Sequence, residues 1–389
     1  METKGSGRVL SVLAIALVLA MTTWFSASAV IPQLRAEWSL SDGDAAWLTI
    51  AVQIGFVIGA LVASVTSLAD IVAPSRLIFL GAVGAAAANL GLVVSSGAGT
   101  AIPLRMATGF FLAGVYPPSL KLIATWFRER RGAALGLLVG ALTVGSAVPH
   151  LVNGLGGLRW EVVVYATSAL TFTGGVLAAT ISSGPYPFAR AVFDPRQARL
   201  VLRDRGVRLA SLGYFGHMWE LYAMWAWFLI FFRTVVGAGE STTPAFATFA
   251  VIGIGGLGCY LAGLVADRWG RTNVTVASMA ISGGCAVTIG LISGGPSWIV
   301  LLVGLVWGFA VVADSAQFST MVTELATGAY VGTALTLQLA IGFTLTVATI
   351  WLIPLLEDAV TWRWAFAFLV PGPLLGIIAM IRLRSSPYA

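Results

Sequence analysis

Apolar residues in this chain gather into long runs separated by short polar punctuation. A helix needs roughly 20 mostly apolar residues to cross about 30 Å of hydrocarbon. Twelve segments meet that length: about 9–31, 44–66, 77–97, 99–122, 132–154, 160–182, 208–234, 243–266, 272–293, 297–319, 331–355 and 363–383. The expected fold is therefore an all-α integral membrane protein with twelve transmembrane helices. The first run, Val9–Ile31, is too long for a signal peptide, has no A-x-A cleavage site and is followed by further spans, so it reads as a helix. Short small-residue faces such as "GALVAS" (Gly59–Ser64) and "GVLAAT" (Gly175–Thr180) suit close helix packing.

One connection is long and polar. "SSGPYPFARAVFDPRQARLVLRDRGVR", Ser182–Arg208, carries three prolines and a cluster of arginines. It divides the chain into an N-terminal six-helix bundle (1–182), a cytoplasmic linker (183–207) and a C-terminal six-helix bundle (208–389). A short surface helix is expected around Pro195–Arg205. The halves echo one another. "LRWEVVVYATSAL" opens the sixth run and "TWRWAFAFLVPGPLL" the twelfth; "RGAALGLLVGALTVG" opens the fifth and "YVGTALTLQLAIGF" the eleventh. Such internal repetition is the sequence sign of a transporter built from two similar bundles.

Composition agrees and narrows the function. The 389 residues are 58% hydrophobic and 10% charged, whereas soluble domains carry about 25% charged residues. The net charge of +6 does not signal nucleic acid, because the basic residues are dispersed over short loops. With the N-terminus inside, seventeen of the twenty-two basic residues fall in cytoplasmic segments, among them Lys4, Arg8, Arg76, Lys121, Arg128, Arg130 and Arg131. That bias places both termini in the cytoplasm of a cell whose inner membrane holds the chain. Cys259 and Cys285 lie in apolar runs with no disulfide or metal-type spacing. No P-loop and no nucleophile–base constellation is evident, so neither an enzyme nor a cofactor is expected.

The candidate chemistry starts in "HMWELYAMWAWFLIFF", His217–Phe232. A carboxylate at the centre of a span costs about 2.5–3.5 kcal/mol on insertion scales, so Glu220 needs a reason to be there. On a helix His217, Glu220, Met224 and Trp227 share one face. His217 and Glu220 also have the i, i+3 spacing of a metal pair, but no Cys, further His or Asp stands nearby in sequence to complete it.

The loop between the eighth and ninth runs reads "GLVADRWGRTN", Gly263–Asn273. It resembles the signature loop of the major facilitator superfamily, G-x-x-x-D-R-x-G-R-[RK], through Gly263, Asp267, Arg268, Gly270 and Arg271; Thr272 replaces the last basic residue. The corresponding loop of the first half, "SVTSLADIVAPSR", keeps Asp70 and Arg76 and loses both glycines. "LRMATGFFLAGVYPPS" is similar to the family's fourth-span pattern through Arg105, Gly109 and Gly114, and "WFRERRGAALG" to its next loop. These loop residues form an expected conformational latch. Glycines permit close approach and a turn, Asp is favoured at a neighbouring helix N-terminus, and the arginines can pair with acids such as Glu324.

The resemblance implies that spans one, four, seven and ten line a central cavity. That would place Glu220 beside Arg105, Trp24, Trp307 and Asp314, with Trp227 on the face of Glu220. Gln53, His150, Asn153, Gln317 and Gln338 would contribute from neighbouring spans. Asp314 reads as a gate, a latch or a helix-end contact. The resemblance also implies a secondary active transporter working by alternating access. The family's nitrate signature is absent from the fifth and eleventh runs. Its antiporter pattern is only partly kept, since Gly136 and Gly145 hold the spacing but Ser146 stands where proline would. The expected solute is a small organic compound, an organic anion or an aromatic body rather than a sugar: Arg105 suits a carboxylate and the aromatic face suits an apolar body or a cation. Glu220 is the expected proton-coupling group, with the proton as coupling ion and His217 as modulator. Proton-linked efflux of drugs or toxic metabolites and a non-transporting membrane sensor are the alternatives. The expected partners are the solute and the lipid bilayer, with no nucleic acid, and the protein is expected to be a monomer.

Overall fold

In hydrocarbon, backbone N–H and C=O groups have no water to bond, so a crossing chain must satisfy them internally. The long apolar runs accordingly fold as helices. A computed structural model describes residues 5–127, 131–156, 159–186, 194–237, 241–326 and 330–386; the side chains at 69, 70, 131 and 195 are outside that description. Among the described residues every regular element is helical. Eleven stretches are long and apolar enough to cross a membrane: span 1 Ser6–Thr23, span 2 Asp42–Val65, span 3 Pro74–Val94, span 4 Ala98–Ala124, span 5 Gly132–Leu155, span 6 Trp160–Ala179, span 7 Arg205–Val236, span 8 Thr243–Trp269, span 9 Arg271–Leu291, span 10 Ser297–Leu325 and span 11 Val331–Arg384.

The last stretch holds two of the expected runs. Two runs, 331–355 and 363–383, fall within one stretch of 54 residues. Straight, it would be about 80 Å long, far more than the bilayer core. It is broken at Thr361, where φ is 60° and ψ is 173°, and its two arms both pack against span 7. Span 1 departs from expectation. Its regular helix ends at Ala20, and Met21–Val30 is two 3-10 segments around an irregular turn. Thr22 and Ser26 hydroxyls donate to the carbonyls of Leu19 and Thr23 there, the local bonding by which Thr and Ser compete with a helix ladder. The linker forms the expected short helix, as Pro195–Gln197 and Ala198–Arg203.

Among the described residues, two helix pairs join the halves most extensively. Span 5 lies along span 8, with backbones so close that a Cβ on Gly140 would stand 2.8 Å from the carbonyl oxygen of Gly256. Span 2 lies along the first arm of span 11, where Ser64 Oγ and Thr336 Oγ1 are 3.0 Å apart. Residues such as Leu80, Phe172, Leu261 and Leu374 are exposed on the outside, as apolar solvent around the protein requires.

Candidate functional site

Span 4 carries Arg105, fully buried. Its guanidinium makes five hydrogen bonds, all within the first half. Nε donates to Leu48 O at 3.2 Å. Nη1 donates to Thr23 O at 2.9 Å, Ser26 Oγ at 3.0 Å and Asn89 Oδ1 at 3.2 Å, and Nη2 donates to Trp24 O. Thr23 and Trp24 lie where span 1 loses its regular ladder. Irregular backbone at membrane depth needs donors from elsewhere, and Arg105 supplies them. Asn89 extends the brace by donating to Ser168 Oγ of span 6 at 3.0 Å. Glu220, expected beside Arg105, is not among its partners, because the fork of donors is turned into its own half.

Span 7 carries Glu220, 1% exposed. Its carboxylate accepts from Ser282 Oγ of span 9 at 2.8 Å and from Trp307 Nε1 of span 10 at 2.7 Å. Both donors are neutral, and no cationic side chain pairs with it among the described residues. One turn earlier, His217 Nδ1 stands 2.8 Å from Asp314 Oδ1, with both side chains buried. The approach has ion-pair distance without hydrogen-bond alignment, and His217 Nε2 has no partner among the described residues. Asp314 reads from the sequence as a gate, a latch or a helix-end contact. It does end one helix and begin the next, but that junction is 1% exposed, inside the second half. Glu220, His217 and Asp314 thus form one buried titratable group spread over spans 7 and 10.

Between the halves lies a cluster of rings. Trp24 sits 4.9 Å from Phe56, 5.9 Å from Tyr222 and 5.8 Å from Phe343, centroid to centroid. Phe25 reaches Trp225 at 5.8 Å. Trp24, Phe25 and Phe56 come from the first half; Tyr222, Trp225 and Phe343 come from the second. The indole N–H groups of Trp24 and Trp225 have no hydrogen-bond partner among the described residues, and neither has the amide of Gln53, one turn before Phe56. His150 of span 5 is buried with both ring nitrogens unpartnered. Unmet polar groups of this kind are rare in native proteins and mark places where water or a ligand belongs.

Other expected members serve packing. Trp227 Nε1 donates to Ile350 O at 2.9 Å, tying span 7 to span 11. Asn153 Nδ2 donates to Ala29 O at 2.8 Å, a second prop for the irregular end of span 1. Gln338 lines a peripheral groove between span 7 and span 11. Gln317 joins the loop between spans 8 and 9, where its Oε1 accepts from Arg271 Nη1 at 3.0 Å.

That loop carries the motif residues and a network of charges. Arg271 Nε and Nη2 donate to Glu324 of span 10 at 3.0 and 2.8 Å, and Asp267 Oδ1 is 3.9 Å from Arg271 Nη1. The same Asp267 oxygen lies 3.9 Å from where a Cβ on Gly132 would sit, in the first turn of span 5. Gly270 has φ +89°, a conformation other residues rarely adopt. Gly263 is a correction, since a Cβ there would meet nothing within 4 Å and close approach does not explain it. Arg268 and Arg76 are exposed. The side chain of Asp70 lies outside the described residues, as do Lys4, Arg128 and Arg130 of the charge pattern.

Sequence reasoning missed Ser282, Asn89, Phe56, Tyr222, Trp225 and Phe343. Asn89 had a signal, as the one amide in the third apolar run. Ser282 had none.

Comparison with known proteins gives this arrangement a context. The family profile described as Major Facilitator Superfamily matches residues 13–343. An uncharacterised MFS-type transporter of Mycobacterium tuberculosis is 30% identical over 151 residues, 38% of this chain and 26% of that one. An uncharacterised 38 kDa protein encoded in a 23S RNA operon of Thermoproteus tenax is 26% identical over 279 residues, 68% of each chain. An MFS-type transporter of Gibberella moniliformis is 25% identical over 177 residues, 44% of this chain and 41% of that one. The matched segments span 26% of the Mycobacterium relative and 27% of an uncharacterised transporter of Saccharomyces cerevisiae.

Proposed function

The chain belongs to the Major Facilitator Superfamily, and on that premise we propose that it is a proton-coupled secondary transporter of a small organic solute. The observation that carries the coupling is the setting of Glu220. A buried carboxylate held, among the described residues, by a serine hydroxyl and an indole N–H can take a proton without breaking an ion pair. The neutral acid is cheaper to carry through an occluded state than the anion. His217, one turn earlier on span 7 and 2.8 Å from Asp314 of span 10, is its proposed modulator.

The solute binds, in this reading, among the rings shared by the two halves. Separation of the halves would free Trp24, Phe56, Tyr222 and Phe343 from one another and expose the unpartnered indoles. Ring faces suit an aromatic or cationic body. The organic-anion reading rested on Arg105, whose guanidinium is already engaged by backbone carbonyls. Efflux of drugs or toxic metabolites would use the same coupling site with the solute moving the other way. The proposed setting is the cytoplasmic membrane, with both termini inside and the two six-helix bundles rocking about the solute.

Proteoliposomes loaded against a solute panel, with and without a pH gradient, test this. Glu220→Gln is expected to abolish gradient-driven accumulation and to keep solute exchange at equilibrium. A mutant that still accumulates solute along a proton gradient removes Glu220 from the coupling role. Failure of the wild type to move any solute in either direction favours the sensor.

A further inference from the structure

A groove of about 230 Å³ opens between the linker helix, the start of span 7 and the start of span 11. Its walls are apolar, with Val207, Phe215, Ala334, Leu337 and Ile341 among them, and three polar residues enter it: Arg208, Ser211 and Gln338. We propose that this groove is a binding site for one anionic phospholipid. Arg208 faces its phosphate, Ser211 and Gln338 face the glycerol ester, and an acyl chain runs along the apolar walls. The proposal is independent of the transport reading.

The order of these groups along the helices matches the order of groups along a lipid. Tyr330 Oη donates to Asp204 Oδ2, a Cβ on Gly342 would meet the ring of Tyr214, and Trp227 Nε1 donates to Ile350 O. Spans 7 and 11 therefore run side by side in the same direction, with Gln338 level with Ser211. Arg208 lies about one turn nearer the helix start, and Phe215 about one turn deeper. From Arg208 to Phe215 is roughly 10 Å along the axis. Charge comes first, then hydrogen-bonding groups, then hydrocarbon.

Gln338 is the observation that points to a ligand. It is 3% exposed, it lines the groove, and its Nε2 has no partner among the described residues. An ester carbonyl is the acceptor that a lipid would bring to that depth. The anionic preference comes from the mouth. Arg208 is exposed, and so are Arg196, Arg199, Arg203 and Arg205 of the adjoining linker. The acid at the mouth, Asp204, is occupied by the backbone N–H of Val207 and the hydroxyl of Tyr330. Leu200 and Leu202, 52% and 58% exposed, alternate with these arginines, the composition of a segment lying at a membrane surface. Basic residues there attract anionic headgroups.

Native mass spectrometry of the full chain released from detergent micelles tests the site. The probes are phosphatidylglycerol and phosphatidylcholine with identical acyl chains. The wild type is expected to retain one phosphatidylglycerol in preference to phosphatidylcholine. Arg208→Gln should weaken phosphatidylglycerol by about fivefold, the effect of one surface arginine, and so narrow that preference. Gln338→Leu should weaken both lipids alike, since both carry the ester. Glycerol 3-phosphate added alone should displace neither. Equal retention of the two lipids by the wild type overturns the proposal. So does unchanged phosphatidylglycerol binding in Arg208→Gln, or displacement by glycerol 3-phosphate, which would mark a free-phosphate site. If Gln338→Leu does not fold, Ser211→Ala reads the same ester contact, and unchanged binding of both lipids in that variant counts against the site.

Discussion

The first half of the chain buries a cation and the second half buries an anion, and the surroundings of the two differ in kind. Arg105 is held by spans 1, 2 and 3 through five hydrogen bonds, three of them to backbone carbonyls. Those carbonyls belong to a stretch of span 1 that cannot satisfy itself and to span 2. Removing the charge would strand the backbone. Glu220 has two donors, both side chains and both neutral, and its loss of charge strands nothing. An arginine is protonated in proteins at any working pH, so it suits a permanent brace. A carboxyl can change state, so it suits a step in a cycle. The signature loop differs between the halves as well. In the second half Arg271, Glu324, Gln317 and Asp267 form a network around Gly270. In the first half the corresponding turn is made by Ser67 at φ 50°, with neither glycine.

The largest expected effect is at the brace. Arg105→Met leaves the carbonyl of Trp24 without its donor and removes one of the donors to Thr23 and Leu48. A stranded buried polar group costs about 1–3 kcal/mol, and the lost bonds to Thr23, Leu48, Ser26 and Asn89 add to it, so the change should appear as poor recovery of monodisperse protein and a lowered thermal midpoint in detergent. Arg105→Lys keeps the charge but not the planar fork and should fall between. A wild-type midpoint for Arg105→Met would break the comparison.

Next comes the turn of the second loop. Gly270→Ala forces a side chain onto φ +89° and is expected to cost about 1–3 kcal/mol. Gly263→Ala, with open space around it, should stay within about 0.5 kcal/mol of wild type. Thermal midpoints of the pair, measured side by side, decide whether the loop's two glycines do different jobs.

Smaller in stability, larger in kinetics, is the latch itself. Arg271 and Glu324 are 22% and 53% exposed, so screening limits Glu324→Gln to about 0–1 kcal/mol. Asp267→Asn should likewise leave solute affinity within a few-fold. Both variants should change the rate of exchange between inward- and outward-facing states, read as tracer exchange in proteoliposomes. A large loss of affinity with unchanged exchange would show that the loop acts on the site and not on the switch.

Much of the fold was legible because the bilayer imposes one length and one polarity on every crossing. Runs of about 20 apolar residues named the spans, and the arginine-rich linker marked the middle of the chain. The break in span 1 was legible only in part. "MTTWFSASAV" carries four hydroxyl residues, but the path its backbone takes depends on Arg105, 81 positions from Trp24. The last two runs were told apart in the sequence, whereas the sharp turn at Thr361 that joins them without a long polar loop was not. At the site, Glu220 and Arg105 stood out as charges inside apolar runs. Whether each faced its own half or the other depends on the rotation of a helix about its axis, which tertiary packing sets. Trp307 was identified by its span, whereas Ser282 sits in "SMAISGGC" among other small residues and only the fold brings it to Glu220.

The account turns on Glu220 changing its protonation state while Arg105 does not. Infrared difference spectroscopy of the purified protein, stepped in pH, reads carboxyl protonation directly and needs no knowledge of the solute. The account predicts a protonated-carboxyl C=O band that grows as the pH falls, is missing in Glu220→Gln and remains in Glu324→Gln. A band of undiminished size in Glu220→Gln would contradict it.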